Sequence, residues 1–162
     1  MYKLTLIVLM MTIWTLLHVM QTNEEIAMKQ LFQGKHAINR AAHAAAQQLD
    51  LEALSDGILR IDTIAAERAA AAYLQTNLLL DENGNPLPNS QLRDAVQVVV
   101  FDIINDDYTF PYTYRNDTYH YEATLQRPGV VMIIKMSCPR PFTVLEPIEW
   151  HIKGVSELVV AF

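Results

Sequence analysis

From Tyr2 to about Leu49 the chain contains no proline, and only Gly34 interrupts its helix-forming residues. A stretch this long without a breaker predicts one continuous helix of about 48 residues, roughly 70 Å from end to end. Its first part differs in kind from the rest, because Leu4–Met20 contains no Asp, Glu, Lys or Arg. At 1.5 Å per residue that segment covers about 26 Å, close to the hydrocarbon thickness of a bilayer. Leu4, Leu6, Ile7, Val8, Leu9, Ile13, Trp14, Leu16 and Leu17 are the expected membrane-anchor residues. The chain has 162 residues and is 51% apolar, but fifteen of those apolar residues lie in the first twenty. The remainder has the composition of an ordinary globular domain and is long enough for one core. A plain cytosolic enzyme, a multi-spanning transporter and a disordered chain are all excluded by this distribution.

A cleaved signal peptide is the competing reading of the apolar run. Lys3 supplies the basic start, but His18-Val19-Met20-Gln21-Thr22-Asn23 lacks the small-x-small pattern that cleavage requires. A retained anchor is therefore expected. Lys3 precedes the span and Glu24 and Glu25 follow it, so the positive-inside rule places a short N-terminus in the cytoplasm and the rest outside. The expected organisation is a transmembrane anchor at 1–22, a helical stalk continuing it at 23–50, and an extracytoplasmic α+β domain at 51–162. The localisation is then single-pass in a bacterial cytoplasmic membrane. With one cysteine, Cys138, the chain forms no internal disulfide and no cysteine-based zinc cluster, and a lone Cys in an apolar strand reads as a small buried hydrophobe. A net charge of −6 with no Lys/Arg cluster leaves no footprint for nucleic acid.

Beyond the span, Ile26, Leu31, Ile38, Ala41, Ala45 and Leu49 form an apolar stripe at helical spacing, with Lys29, Lys35, Arg40 and Gln47 around it. Residues 41–46 hold five alanines in six, and residues 65–72 hold six in eight. Alanine has the best helix propensity and the smallest side chain, so both segments predict helices that permit close backbone approach. Asp62 is the expected N-cap of the second helix, from Thr63 to about Leu80. The helix-packing face Ala37, Ala41, Ala44 and Ala45 has two readings: a tight helix pair within the domain, or a surface packed against copies or related subunits. Between the helices, Leu54–Arg60 contains Ser-Asp-Gly and reads as a turn, and Ile58–Ile61 as a short strand.

After Leu80 the pattern changes. Residues 81–90 form a turn-rich loop, followed by strand-like runs at Val96–Ile104, Thr118–Gln126, Val130–Cys138 and Ile148–Val160. Arg127-Pro128-Gly129 reads as a tight turn joining Thr118–Gln126 and Val130–Cys138 in a hairpin. The fold class is thus α+β: a long N-terminal helix, a second helix and an antiparallel sheet of about four strands, with helices over one face.

No catalytic constellation emerges, so a non-enzymatic role without cofactor is expected. Asp81-Glu82-Asn83-Gly84-Asn85 misplaces the glycine and lacks the terminal Glu of a calcium loop, and reads as an ordinary turn. Asp102, Asp106 and Asp107 have no neighbouring His or Lys in sequence for acid–base work. His36 and His43 are about 10 Å apart along a helix, too far to share a metal. Ser55, Ser90, Ser137 and Ser156 lack a nucleophile-elbow setting. One concentration stands out: half of the fourteen aromatics lie within residues 101–121. The stretch Tyr108–Arg115 is too polar for a core strand. Tyr108, Phe110, Tyr112, Tyr114, Arg115 and Tyr119 are candidate partner contacts, the alternative being a hairpin loop folded back over the sheet. Asn116-Asp117-Thr118 also matches a glycosylation acceptor.

A short basic start, one apolar helix, its continuation as an alanine-rich polar helix and a following α+β domain together resemble type IV pilin-like proteins of bacteria. The segments Asn39–Asp50 and Ala65–Ala72 resemble the TadE/TadG-type pseudopilins of tight-adherence pilus systems, and the likeness covers residues 1–80. The resemblance implies a membrane-anchored, non-enzymatic component of a pilus or secretion-type surface apparatus. It implies partners among other pilin-like or envelope proteins, the chain itself included. Pilin-type precursors carry a cleavage glycine before the span and a glutamate five residues into the mature chain. This sequence has neither, which makes it either an uncleaved anchor or a chain outside the polymerising class. The alternative function is a tethered extracytoplasmic ligand-binding or sensory module using the Tyr-rich 108–121 loop.

Overall fold

The computed structural model of the chain describes residues 2–138 and 147–159. The predicted helix is present as α1, Tyr2–Ala46, unbroken over 45 residues. A five-residue helix α2, Leu51–Ser55, and a longer helix α3, Thr63–Leu78, follow. Among the described residues five strands follow: β1 Gln97–Ile104, β2 Tyr112–Asn116, β3 Tyr121–Leu125, β4 Gly129–Cys138 and β5 Ile148–Glu157. The α+β class is as expected, with the strands divided into a three-stranded antiparallel sheet ordered β1-β4-β5 and a separate β2–β3 hairpin.

Local chemistry sets the helix ends. Asp62 caps α3 by accepting from the Ala65 amide at 3.0 Å, and Leu79 closes the other end in the left-handed conformation. Asp50 caps α2 in the same way through the Glu52 and Ala53 amides. The segment read as a turn between the long helices therefore begins within a short helix, and Gly57 then supplies the positive φ that reverses the chain. Ile58–Ile61 is not a strand; it contributes one isolated bridge, Leu49 to Ile61.

α3 returns antiparallel to α1. The Asp62 amide donates to Gln48 O near the top of the pair, and Gln33 Nε2 donates to Asn77 O near the bottom. β5 runs alongside α1 in the same direction: Gly34 abuts Ile152, Ile38 abuts Gly154, and Gln47 donates to Glu157 O. Gly34 and Gly154 are what allow this closeness. A Cβ at Gly34 would lie 2.5 Å from Met136 Sδ and 2.6 Å from Ile152 Cδ1, and one at Gly154 would lie 3.0 Å from Ile38 Cγ1. The core between helices and sheet contains Ala37, Ile38, Ala41 and Ala45 of α1, Ala66, Ala70, Leu74 and Leu78 of α3, and Val130, Met132, Ile134 and Met136 of β4.

β4 is the central strand, and Gly129–Ile134 is buried without a break. Its second face is covered by the β2–β3 hairpin, whose Tyr114 and Leu125 enclose Val131 together with Ile104. This corrects the expected pairing of residues 118–126 with 130–138. β3 pairs with β2, Tyr112 opposite Leu125 through Asn116 opposite Tyr121, while β4 pairs with β1 and β5. Arg127-Pro128-Gly129 is a corner between two layers, not a hairpin turn. Its glycine sits where a Cβ would lie 2.4 Å from Leu125 Cδ2 and 2.7 Å from Ser156 O. The stretch judged too polar for a core strand also contains one: Tyr112 and Tyr114 turn inward, and Thr113 and Arg115 outward.

Candidate functional site

The lower half of α1 stands clear of the domain. Every anchor residue expected from the sequence is exposed, from Leu4 at 70% to Ile13 at 50%, and the first buried residue of the helix is Ala27. This helix is long and apolar enough to cross a membrane. Three threonines of its lower half are satisfied within the helix. The hydroxyls of Thr12, Thr15 and Thr22 donate to the carbonyls of Val8, Met11 and His18, one turn back. In hydrocarbon an unsatisfied hydroxyl costs several kcal/mol, roughly, so this back-bonding removes the main objection to threonine in a span. Trp14 and His18 stack at 5.4 Å on one side of the helix.

The alanine face has a definite destination in the structure. Ala37, Ala41 and Ala45 are buried inside the domain at 1% exposure or less, and Ala44 is half-buried. Small side chains let α1 approach both α3 and the sheet, while Lys35, His36, Asn39, Arg40 and His43 face outward. Just beyond the apolar run, Glu25 and Lys29 pair at 2.8 Å, and Lys29 holds the Glu25 carboxyl below its usual range.

The aromatic concentration becomes a covering layer with an exposed rim. Tyr114 is buried and donates to Asp102 Oδ2 at 2.5 Å, while its own oxygen accepts from Asn116 Nδ2 at 3.3 Å. Burial, then the adjacent Asp102 carboxylate, push the Tyr114 phenol above its ordinary pKa. Phe110 and Tyr112 are half-buried on the same cluster, with Tyr108 against Tyr112 at 4.4 Å. Arg115 is exposed and pairs with Asp117 at 2.7 Å. Tyr119 packs at a tilt against His151 of β5 at 5.1 Å, and burial raises the pKa of Tyr121. Of the six candidate contacts, Tyr108 and Arg115 are the exposed ones. Asn116, the possible glycosylation acceptor, is occupied: its Oδ1 accepts from the Tyr119 amide and its Nδ2 serves Tyr114.

Asp81 and Asp106 have structural partners. Asp81 accepts from the Asn83 and Asn85 amides at 2.8 Å, and the Asn85 side chain first, then its backbone, hold the Asp81 carboxyl below its usual range. Asp106 pairs with Arg60 at 2.9 Å. Among the described residues no three His, Cys, Asp or Glu side chains gather to hold a metal. His43 Nδ1 lies 3.3 Å from Ser156 Oγ.

Sequence reasoning missed one residue that organises the whole. Asn105, at the end of β1, is buried and brackets Ile61: its Oδ1 accepts from the Ile61 amide at 2.9 Å and its Nδ2 donates to Ile61 O at 3.1 Å. It thereby ties the helix connection to the sheet. Only its position between an apolar strand and Asp106-Asp107 could have marked it. Cys138 is buried at the end of β4. Comparison with protein-family models, curated proteins and solved structures finds no match to this chain.

Proposed function

We propose that the chain is a membrane-anchored, outward-facing, pilin-like component, of the TadE/TadG type, in a bacterial pilus or secretion-type surface apparatus. It acts by helix packing and protein–protein contact, without catalysis. The observation that carries this reading is α1: one helix whose lower half is bare and apolar and whose upper half is the spine of an α+β domain. The basic Lys3 side faces the cytoplasm and the domain lies outside. Because Ala37, Ala41 and Ala45 are committed to the domain's own core, contacts with envelope partners or further copies fall to the span and to the outward face of α1. Ile26, Met28 and Phe32 are exposed apolar residues of α1 above the span, the last two one turn apart. Fractionation with protease protection tests this. The expected result is a carbonate-resistant membrane protein whose domain is digested only when protease reaches the outer side; extraction by carbonate would refute the anchor.

The Tyr-rich segment favours a second reading, a tethered sensory or ligand-binding module, because Tyr108 in the loop before the hairpin and Arg115 on it remain exposed. Co-purification separates the two, envelope proteins supporting the first and a small or polymeric ligand the second.

A further inference from the structure

An open groove of about 520 Å³ runs between α1, the edge strand β5 and the start of β3, lined chiefly by Phe32, Lys35, Tyr121, Trp150, His151 and Lys153. Its size is that of sites for small ligands. Its charge is at odds with the chain's formal −6. Among the described residues the ion pairs join Lys29 to Glu25, Arg60 to Asp106, Arg115 to Asp117 and Lys135 to Glu149; Lys35 and Lys153 belong to none. Both are nevertheless held in place by backbone carbonyls. Lys35 Nζ donates to Lys153 O, and Lys153 Nζ donates to His120 O at 3.4 Å while lying 5.7 Å from the centre of the Tyr121 ring. The carboxylate in the groove, Glu149, is neutralised by Lys135 at 2.8 Å. The groove therefore offers two positive charges uncompensated by acid, beside flat aromatic walls.

We propose that this groove binds a sugar ring bearing a carboxylate or phosphate. The anionic group is taken by the ammonium groups of Lys35 and Lys153, which serve as compact donors to such oxygens. The ring lies on the aromatic walls. Those walls keep part of their surface in water: Phe32 and His151 are exposed and Trp150 and Tyr121 half-buried. A ligand seated there stays half-solvated, which suits a hydroxyl-covered ring and not a wholly apolar one. The site stands whether or not the protein belongs to a pilus apparatus, and because Phe32 is shared with the face of α1 proposed for partner contact, it is open in the uncomplexed chain.

The test uses the full chain in detergent micelles with Trp14→Phe, which leaves Trp150 as the fluorescent reporter inside the groove. Glucuronate and glucose 6-phosphate supply the two anionic forms, and glucose and inorganic phosphate supply ring and anion separately. The expected result is a saturable change in Trp150 emission with at least one anionic sugar at millimolar concentration, glucose and phosphate binding tenfold or more weakly. Lys35→Gln and Lys153→Gln, both outside the core, each weaken binding about tenfold, the scale of one charge-assisted hydrogen bond. Their melting temperatures stay unchanged. Glu149→Gln serves as the control and leaves binding intact or tighter. Equal binding of glucose, equal binding of bare phosphate, indifference to both lysine substitutions, or no saturation by either anionic sugar would each overturn the proposal.

Discussion

Replacing Asn105 by alanine isolates the tie between the helix connection and the sheet. The side chain makes two hydrogen bonds to one residue, 2.9 Å to the Ile61 amide and 3.1 Å from Nδ2 to the Ile61 carbonyl. Ile61 is 1% exposed and Asn105 is 7% exposed, so water does not readily replace the lost partner. Two opposing outcomes bracket the effect. If solvent reached the gap, the loss would be the net worth of two ordinary hydrogen bonds, about 1–2 kcal/mol. If the Ile61 amide and carbonyl are left dry, each orphaned group adds about 1 kcal/mol or more. Burial on both sides favours the second, and the expected loss is about 3 kcal/mol, or a fall in Tm of roughly 10 °C for a domain of this size. Asn105→Asp keeps the acceptor but sets a carboxylate oxygen against the Ile61 carbonyl, so it does not rescue the loss. Thermal unfolding in detergent, followed by Trp150 emission in the Trp14→Phe background, measures both variants. A loss below about 0.5 kcal/mol for Asn105→Ala, the range of ordinary surface substitutions, would refute the bracketing of Ile61 by this side chain.

Further expectations concern other parts of the chain. Gly34→Ala sets two effects against each other. Helix propensity favours alanine by about 1 kcal/mol, but the new Cβ meets buried Met136 and Ile152, and overpacking costs about 1–3 kcal/mol. Net destabilisation in the same unfolding assay is expected, and a clear gain would contradict the close approach. Asp62→Ala removes the α3 cap and costs about 1 kcal/mol, readable as a lower unfolding midpoint. Leu9→Arg, mid-span, opposes insertion by about 3 kcal/mol and shifts protein into the carbonate-soluble fraction. Tyr114 and Tyr121 titrate above the ordinary tyrosine value of 10.0 in the folded chain. The unfolded chain thus releases these protons first, and stability present below pH 10 is lost as pH rises through the folded values. Burial pushes Lys35 below its ordinary 10.5 and works the opposite way. The comparison is therefore between the parent and Tyr114→Phe/Tyr121→Phe, whose alkaline loss should be shallower.

The helices were legible because their signals are local. Proline-free length, alanine content and the Asp62 cap act within a few residues, and α1 and α3 end within three residues of the expected positions. The strand pairing was not local. Arg127-Pro128-Gly129 has the composition of a hairpin turn, yet here it changes layers, and the difference lies in what Gly129 touches, not in its neighbours in sequence. A clue was present in Val130–Ile134, five consecutive apolar residues with no polar alternation. Such a run marks a strand covered on both faces, which demands a second layer opposite the helices. The Tyr112-Thr113-Tyr114-Arg115 alternation supplies that layer, and its hydroxyls hid it by making the segment look too polar. The Tyr114 hydroxyl is satisfied by Asp102, a partner twelve residues away that no local pattern announces. The groove beside β5 was invisible for the same reason, since Lys35, Tyr121 and Lys153 meet only through the fold.

The unbroken α1 also makes the molecule a lever. Between Met20 and the first buried turn there is no proline or glycine to act as a hinge, and Gly34 is already clamped against the sheet. With residues 4–20 in a membrane, as proposed, any tilt of the span is transmitted whole to the domain. Over the roughly 40 Å from Met20 to the end of the helix, a tilt of about 20° carries the far end sideways by about 14 Å. Bilayer thickness, by setting how far a 17-residue apolar run must lean or stand upright, would steer where the domain is held above the surface.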